Sequence, residues 1–337
     1  MNALTRPSLA RPVTRAGLTA AVSVVALLLA FPSVVTSDQF VTAAITALLG
    51  VFMVQCWNLA AGYAGLFSLG HSVFIGIGAY ASTMLFLKAG VSPWMGALVG
   101  ALLSAAVGAA LALVAFLYRI RGVSFAILTL GAMEVARGLA DNWGWISGPL
   151  GINLVLANDP GNMLFPSRIP YYYIILCCVF ALTAITWRME HSRFGQYLLA
   201  IREDEDAAEA SGVDVRRCKI LAMALSAGLT ALGGTFYAQF YLYISPDTLF
   251  IFDHQLTMML GAMVGGAGTV LGPIIGSSVL GAIAEVLRNL PFEETRHINS
   301  AAKMFYAVVL MTVMIYLPGG ILSMVSSRMR RNEKAGR

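Results

Sequence analysis

The dominant pattern along the chain is a succession of long apolar runs, interrupted by charged residues only at intervals. Uncharged stretches cover Ala16–Ser37, Ala89–Tyr118, Ile169–Trp187, Ile220–Pro246, Gln255–Ala284 and Met304–Ser327. A helix needs about 20 mostly apolar residues to cross a bilayer, and each of these runs is long enough. Between Asp38 and Lys88 the only acidic or basic side chain is His71, and the length holds two crossings with a turn near Ala60–Ala64. Gln255–Ala284 continues apolar to Leu287 and reads as a second pair, broken at Gly265–Pro273. Gly122–Asp141, which carries Glu134 and Arg137, supplies one more span. The pattern predicts an all-α polytopic membrane protein of about ten transmembrane helices, or about eight if the stretch around His71 or the pair near Pro273 only dips into the membrane.

Charge orients these spans. With both termini inside, the cytoplasmic segments collect sixteen Lys and Arg residues against five in the outer loops. That asymmetry is the positive-inside bias, and it requires an even number of spans. The chain then divides into a basic cytoplasmic segment 1–15, one transmembrane permease domain 16–327 with a cytoplasmic loop 188–219, and a basic cytoplasmic tail 328–337. The first apolar run follows Arg6, Arg11 and Arg15 as a signal peptide would, but it is longer than a cleaved segment and no A-x-A site follows it. An uncleaved first span is expected.

Composition excludes the other classes. Apolar residues make up 58% of the 337 positions and charged residues 12%, against roughly 25% charged in a soluble domain. The net charge of +5 is the orientation bias summed, so it does not point to nucleic acid. Cys56, Cys177, Cys178 and Cys218 lie in or beside apolar spans, where neither a disulfide nor a metal site is expected. No phosphate-binding G-x-x-x-x-G-K-[ST], H-E-x-x-H, C-x-x-C or G-x-S-x-G occurs, so an ATPase site, a metalloenzyme and a hydrolase are without support, and no cofactor is implied. Carboxylates within the spans are few. An ion-coupled carrier needs them at mid-membrane depth to bind and release its ions.

Two segments are crowded with glycine: Gly62–Tyr80 (GYAGLFSLGHSVFIGIGAY) and Gly261–Gly281 (GAMVGGAGTVLGPIIGSSVLG). Small residues let helices approach closely in lipid, and they allow a helix to break where polar backbone lines a cavity. Tight packing explains most of these glycines. The sharper reading is that the two segments, one in each half of the chain, flank a translocation path as broken helices of an inverted repeat do. Gly65, Ser68, His71, Glu134 and Gly268 are the candidates to line such a path. Glu134 and Arg137 share a helix face and read as an internal clamp.

The loop 188–219 breaks the pattern. In RFGQYLLAIREDEDAAEASGVDVRRCK, the acids Glu203, Asp204, Glu205 and Asp206 sit where the first turn of a short helix would be, favoured there by the helix dipole. Ala207, Ala208 and Ala210 propagate that helix, Gly212 ends it, and Asp214 caps the next one. A helix of about eight residues, roughly 12 Å long, would be anchored at both ends against the membrane. Such a unit is suited to dock in a groove on a cytoplasmic protein.

Four stretches in order resemble the LivM-type permease subunit of branched-chain amino acid ABC importers: NLAAGYAGLFSLGHSVFIGIGAY (Asn58–Tyr80), RGVSFAILTLGAMEV (Arg121–Val135), AIREDEDAAEASGV (Ala200–Val213) and GAMVGGAGTVLGPIIGS (Gly261–Ser277). SGPLGI (Ser147–Ile152) matches a further family stretch, apart from Pro149. The resemblance implies a subunit of the bacterial inner membrane, paired with a second homologous permease and two ATPase subunits. A periplasmic or extracellular substrate-binding protein would deliver the solute. It further implies that Arg202, Glu203, Asp204, Glu205, Ala207, Ala208 and Gly212 form the helix that couples to the ATPases. Permeases for urea, amides, other amino acids and sugars share this architecture, so the solute stays open. A gradient-driven transporter or channel is the rival of another class.

Overall fold

The computed structural model describes residues 15–288 apart from positions 36, 147 and 156–158. Within them the chain folds as helices α1 (Arg15–Val34), α2 (Asp38–Asn58), α3 (Ser72–Ala89), α4 (Pro93–Leu117), α5 (Val123–Asn142), α6 (Ile169–Glu190), α7 (Arg193–Glu203), α8 (Glu205–Ala210), α9 (Val215–Tyr241), α10 (Pro246–Leu249), α11 (Phe252–Gly265) and α12 (Gly272–Arg288). Six of them are long and apolar enough to cross a bilayer: α2 with its extension to Tyr63, α3, α4, α5, α6 and α9. The predicted last span, Met304–Ser327, and the basic tails lie outside the described residues.

The first pair of crossings divides later than its sequence suggests. α2 continues through a wider π turn, Leu59–Tyr63, and the chain reverses over residues 64–71 rather than near Ala60. The predicted second pair of crossings is a hairpin of α11 and α12, turning at Gly266–Leu271, with Gly265 and Gly276 set against the backbone of the opposing helix. Neither helix is among the six long and apolar enough to cross a bilayer.

Close packing of small residues builds the core. α3, α4 and α9 pack against one another, and a Cβ on Gly78 would overlap the backbone of Ala231, so only glycine admits this approach. Ser104 of α4 donates to the Ala227 carbonyl at 2.8 Å, and Thr235 of α9 to that of Gly78 at 3.1 Å. α2, α3 and α9 bury more than half of their apolar windows, whereas α4 and α5 bury less than a third.

Ahead of α6 and after α9, Ile152 pairs with Ile244 and Asn153 with Tyr243 in a two-residue antiparallel ladder. α1 contains Pro32, which lacks the N–H that would bond to the Leu28 carbonyl in a regular helix. The hydroxyl of Tyr172 on α6 donates to that carbonyl instead, at 2.8 Å, and Tyr173 donates to Leu29 at 3.1 Å.

Candidate functional site

The loop between α6 and α9 holds two helices, not one. Arg193–Glu203 forms α7, begun by a Ser192 cap that accepts from the Gly195 N–H at 3.2 Å. Glu203 therefore ends α7 and does not start the short helix. Asp204 is the hinge between the two, its carboxylate accepting from the N–H groups of Asp206 (3.1 Å) and Ala207 (3.0 Å). α8 is then six residues long, shorter than its composition suggests, because α7 takes Glu203 and the cap takes Asp204, leaving two of the four acids. Gly212 stands just past its end at φ +85°, and Asp214 caps α9 by accepting from the Arg217 N–H at 3.0 Å.

The four acids face different ways. Glu205 points inward and is mostly covered: Lys219 of α9 donates to it at 2.6 Å, and Arg121, ahead of α5, approaches within 3.4 Å. Asp206 is exposed and takes the other end of the Arg121 guanidinium at 3.0 Å. That hydrogen bond, with the Glu205 charge beside it, raises the Arg121 pKa above its ordinary value. Ala208 is buried beneath α8, whereas Ala207, Glu209 and Ala210 are exposed. A cleft of about 340 Å³ opens beside this unit, lined in part by Gly65, Arg121, Arg202, Glu205 and Lys219.

Arg202 reaches from the last turn of α7 to both glycine-rich segments. Its Nη1 donates to the Gly62 carbonyl at 2.5 Å and to the Ala267 carbonyl at 3.4 Å. The Gly62 oxygen is available because the Leu66 N–H, its partner in a continuing helix, bonds to Ala60 instead, at 3.0 Å. Asn58 closes the same junction: its Oδ1 accepts from the Gly268 N–H at 2.8 Å and its Nδ2 donates to the Thr269 carbonyl at 3.0 Å. Gly65 (φ +69°) and Gly268 (φ +76°) both adjoin Arg202, and a Cβ on Gly268 would overlap its guanidinium. Three residues singled out for two separate roles, Arg202, Gly65 and Gly268, thus meet in one place.

Ser68 and His71 form a second cluster, fully buried. Gln255 of α11 holds their loop, accepting from the His71 N–H at 2.9 Å and donating to the Ser68 carbonyl at 2.7 Å. Trp57 donates to that same carbonyl at 2.9 Å. The Ser226 hydroxyl donates to the Cys56 carbonyl at 2.6 Å, so toward His71 Nε2, at 2.9 Å, it is an acceptor and the imidazole carries its proton there. Asn58 and Gln255 are not among the sequence candidates. The signal available is an amide in an otherwise apolar run.

Glu134 stands apart. It is exposed on α5, and Arg137 does not clamp it: Arg137 binds Asp247 of α10 at 2.5 Å and approaches Asp141 at 4.0 Å. Along the same helix, nothing described lies within 4 Å of a Cβ built on Gly131 or Gly138. Among the described residues, no three His, Cys, Asp or Glu side chains are grouped as metal ligands would be.

The chain has relatives in sequence. Over 94% of its length the chain is 26% identical to the high-affinity branched-chain amino acid transport system permease protein LivM of Escherichia coli K12, covering 77% of that protein. It is 27% identical to the corresponding LivH of Salmonella typhimurium, over 59% of each chain. It is 28% identical to the autoinducer 2 import system permease protein LsrC of Salmonella paratyphi B, over 48% of this chain and 46% of that one. No solved structure matches. Residues 37–317 match the family described as branched-chain amino acid transport system / permease component, and the chain, a multi-pass membrane permease, belongs to it.

Proposed function

We propose that this permease is the membrane-spanning subunit of an ATP-driven importer for branched-chain amino acids, working by alternating access with a second, homologous permease. Two ATPase subunits bind its cytoplasmic face, and a binding protein delivers substrate to the outer face. The observation that carries this reading is the construction of α8. It is a short helix capped at both ends and tied inward through Glu205 to Arg121 and Lys219. It turns Asp206, Ala207 and Glu209 outward. A load applied to those residues passes through ion pairs directly into α5 and α9. Glu203, Asp204, Glu205, Ala207, Ala208, Gly212 and Arg202 act here as the coupling unit. Gly65, Ser68, His71, Glu134 and Gly268 border the path.

Gentle purification from native membranes with mass spectrometry of the retained chains tests the assembly. Recovery of two ATPase subunits and a second permease is expected. Recovery of this chain alone, active in liposomes without ATP, defeats the reading and leaves a gradient-driven carrier. The similarity to an autoinducer 2 permease favours a second reading of the solute alone, a polar non-amino-acid. Uptake of labelled leucine by the purified assembly decides between them.

A further inference from the structure

We propose that Arg202 and Asn58 are positioning residues that latch the inner end of the path. They pin both glycine-rich breaks to the coupling unit, so that movement of α7 and α8 releases the two breaks together. This rests on the coupling reading above and adds to it the point where motion enters the bundle.

Regular hydrogen bonding stops where α2 ends and where the α11–α12 hairpin turns, and within a membrane protein every freed N–H or C=O needs another partner. At this junction Arg202 and Asn58 supply them. Arg202 serves the Gly62 and Ala267 carbonyls, and Asn58 serves the Thr269 carbonyl and the Gly268 N–H. Each of the two side chains spans an interface: Asn58 joins α2 to the hairpin turn, and Arg202 joins both of these to α7. Gly62 and Gly268 are in direct contact, since a Cβ on either would overlap atoms of the other's backbone or of the latch residues.

The position suits a gate. α2 and its π turn run 26 residues from Asp38 to Tyr63, enough to place Gly62 at the inner membrane boundary. Arg202 lies one residue before the end of α7 and two before Asp204, the hinge into α8. The cleft of about 340 Å³ alongside leaves space into which its side chain can withdraw. Once withdrawn, the Gly62 and Ala267 carbonyls turn to water, so release of the latch and hydration of the inner end are one event. A purely structural tie would have no reason to depend on the state of the cytoplasmic loop.

Cys56 is a native reporter of this event. It is fully buried two residues before Asn58 on α2, on the opposite side of the helix beside Thr230 and Cys178, so its labelling reports opening that reaches past the junction into the bundle. Inside-out vesicles carrying the whole transporter, with Cys177, Cys178 and Cys218 changed to serine and uptake retained, are treated with a small membrane-impermeant methanethiosulfonate, without nucleotide and with a non-hydrolysable ATP analogue. The analogue shifts labelling by about two-fold or more in the unsubstituted chain but not in Arg202→Gln. Equal rates with and without it in the unsubstituted chain of the whole transporter overturn the latch. Losing a hydrogen bond to a charged group is expected to raise Cys56 labelling about ten-fold or more in Arg202→Gln. Arg202→Lys, which can serve one carbonyl, falls between Gln and the unsubstituted chain. Asn58→Ala labels as fast as Arg202→Gln, and the double variant no faster than the quicker single one, because the two residues hold one junction. Labelling within two-fold of the unsubstituted chain in both single variants overturns the proposal, as does multiplication of their effects in the double variant. If Arg202→Gln does not reach the membrane, Asn58→Ala decides the matter by itself. The labelling without nucleotide needs no ATPase, so faster labelling in a chain that retains no ATPase subunits keeps the latch and discards the coupling reading.

Discussion

Lys219 holds Glu205 at 2.6 Å, and the two side chains are only 14% and 16% exposed. This ion pair fastens α8 to the start of α9. Because Arg121 approaches the same carboxylate, one acid joins three parts of the chain.

Reversing that acid should therefore detach α8. Glu205→Lys sets three cations together, and Glu205→Gln leaves Lys219 short of its counter-charge, costing about 1–3 kcal/mol for a poorly hydrated charged group. Limited proteolysis between α7 and α9 is expected to speed up in Glu205→Lys, less so in Glu205→Gln. The swap Glu205→Lys with Lys219→Glu should recover part of the protection. Identical digestion of all four proteins would show that the pair holds nothing.

Gly212 occupies the left-handed region at φ +85°, where a Cβ costs roughly 1–2 kcal/mol. Nothing stands within 4 Å of the added carbon, so the effect is one of backbone alone. Gly212→Val is expected to lower uptake strongly and Gly212→Asn much less, at equal membrane yield. Equal uptake by the Val and Asn variants contradicts a role for the turn's geometry.

Glu134 lies about 16 Å along α5 from Val123, mid-depth by helical rise. A charge turned to lipid there costs about 2.5–3.5 kcal/mol on insertion scales. A face toward the path avoids that cost. Glu134→Leu should then insert normally and transport poorly, with Glu134→Gln intermediate. If Glu134→Leu transports like the parent and is harder to unfold in detergent, the residue faces lipid.

Packing makes a separate prediction about two glycines. Gly78→Val drives a side chain into the Ala231 backbone, and overpacking of this kind costs about 1–3 kcal/mol or more. Gly131→Val on α5 meets nothing described within 4 Å. Yield of folded protein after detergent extraction should drop for the first and hold for the second. A drop in both would place another chain against α5.

What can be read from sequence follows from what the bilayer demands locally. Apolar runs must exceed a fixed length, so α1, α2, α4, α6 and α9 are legible within about five residues, whereas α3 starts eight residues later than its predicted turn. Caps are local too: Gly212 and Asp214 have the roles their types suggest. The short helix starts later than its acids imply, since four consecutive acids offer several caps. The choice of Asp204 depends on where α7 stops, and the amphipathic run of α7 lies in a stretch whose charges suggest a loop. Asn58 and Gln255 are illegible for another reason. Their partners lie 211 and 184 residues away, in the α11–α12 turn and at His71, and no periodicity encodes such a distance. Glu134 and Arg137 show the converse: correct helical spacing suggests a pair, but an acid from α10 takes the guanidinium.

The proline in α1 bears on how the protein is made. Its Leu28 carbonyl gets its proton from Tyr172, a residue 144 positions later. A ribosome working at 5–20 residues per second takes roughly 7 to 30 s to cover that distance. Throughout that interval the Leu28 carbonyl lacks this partner, tolerable only while water, lipid headgroups or the insertion machinery can reach it. α1 therefore cannot complete its contacts when it is made, and assembly of this permease must keep a place open for it until α6 emerges.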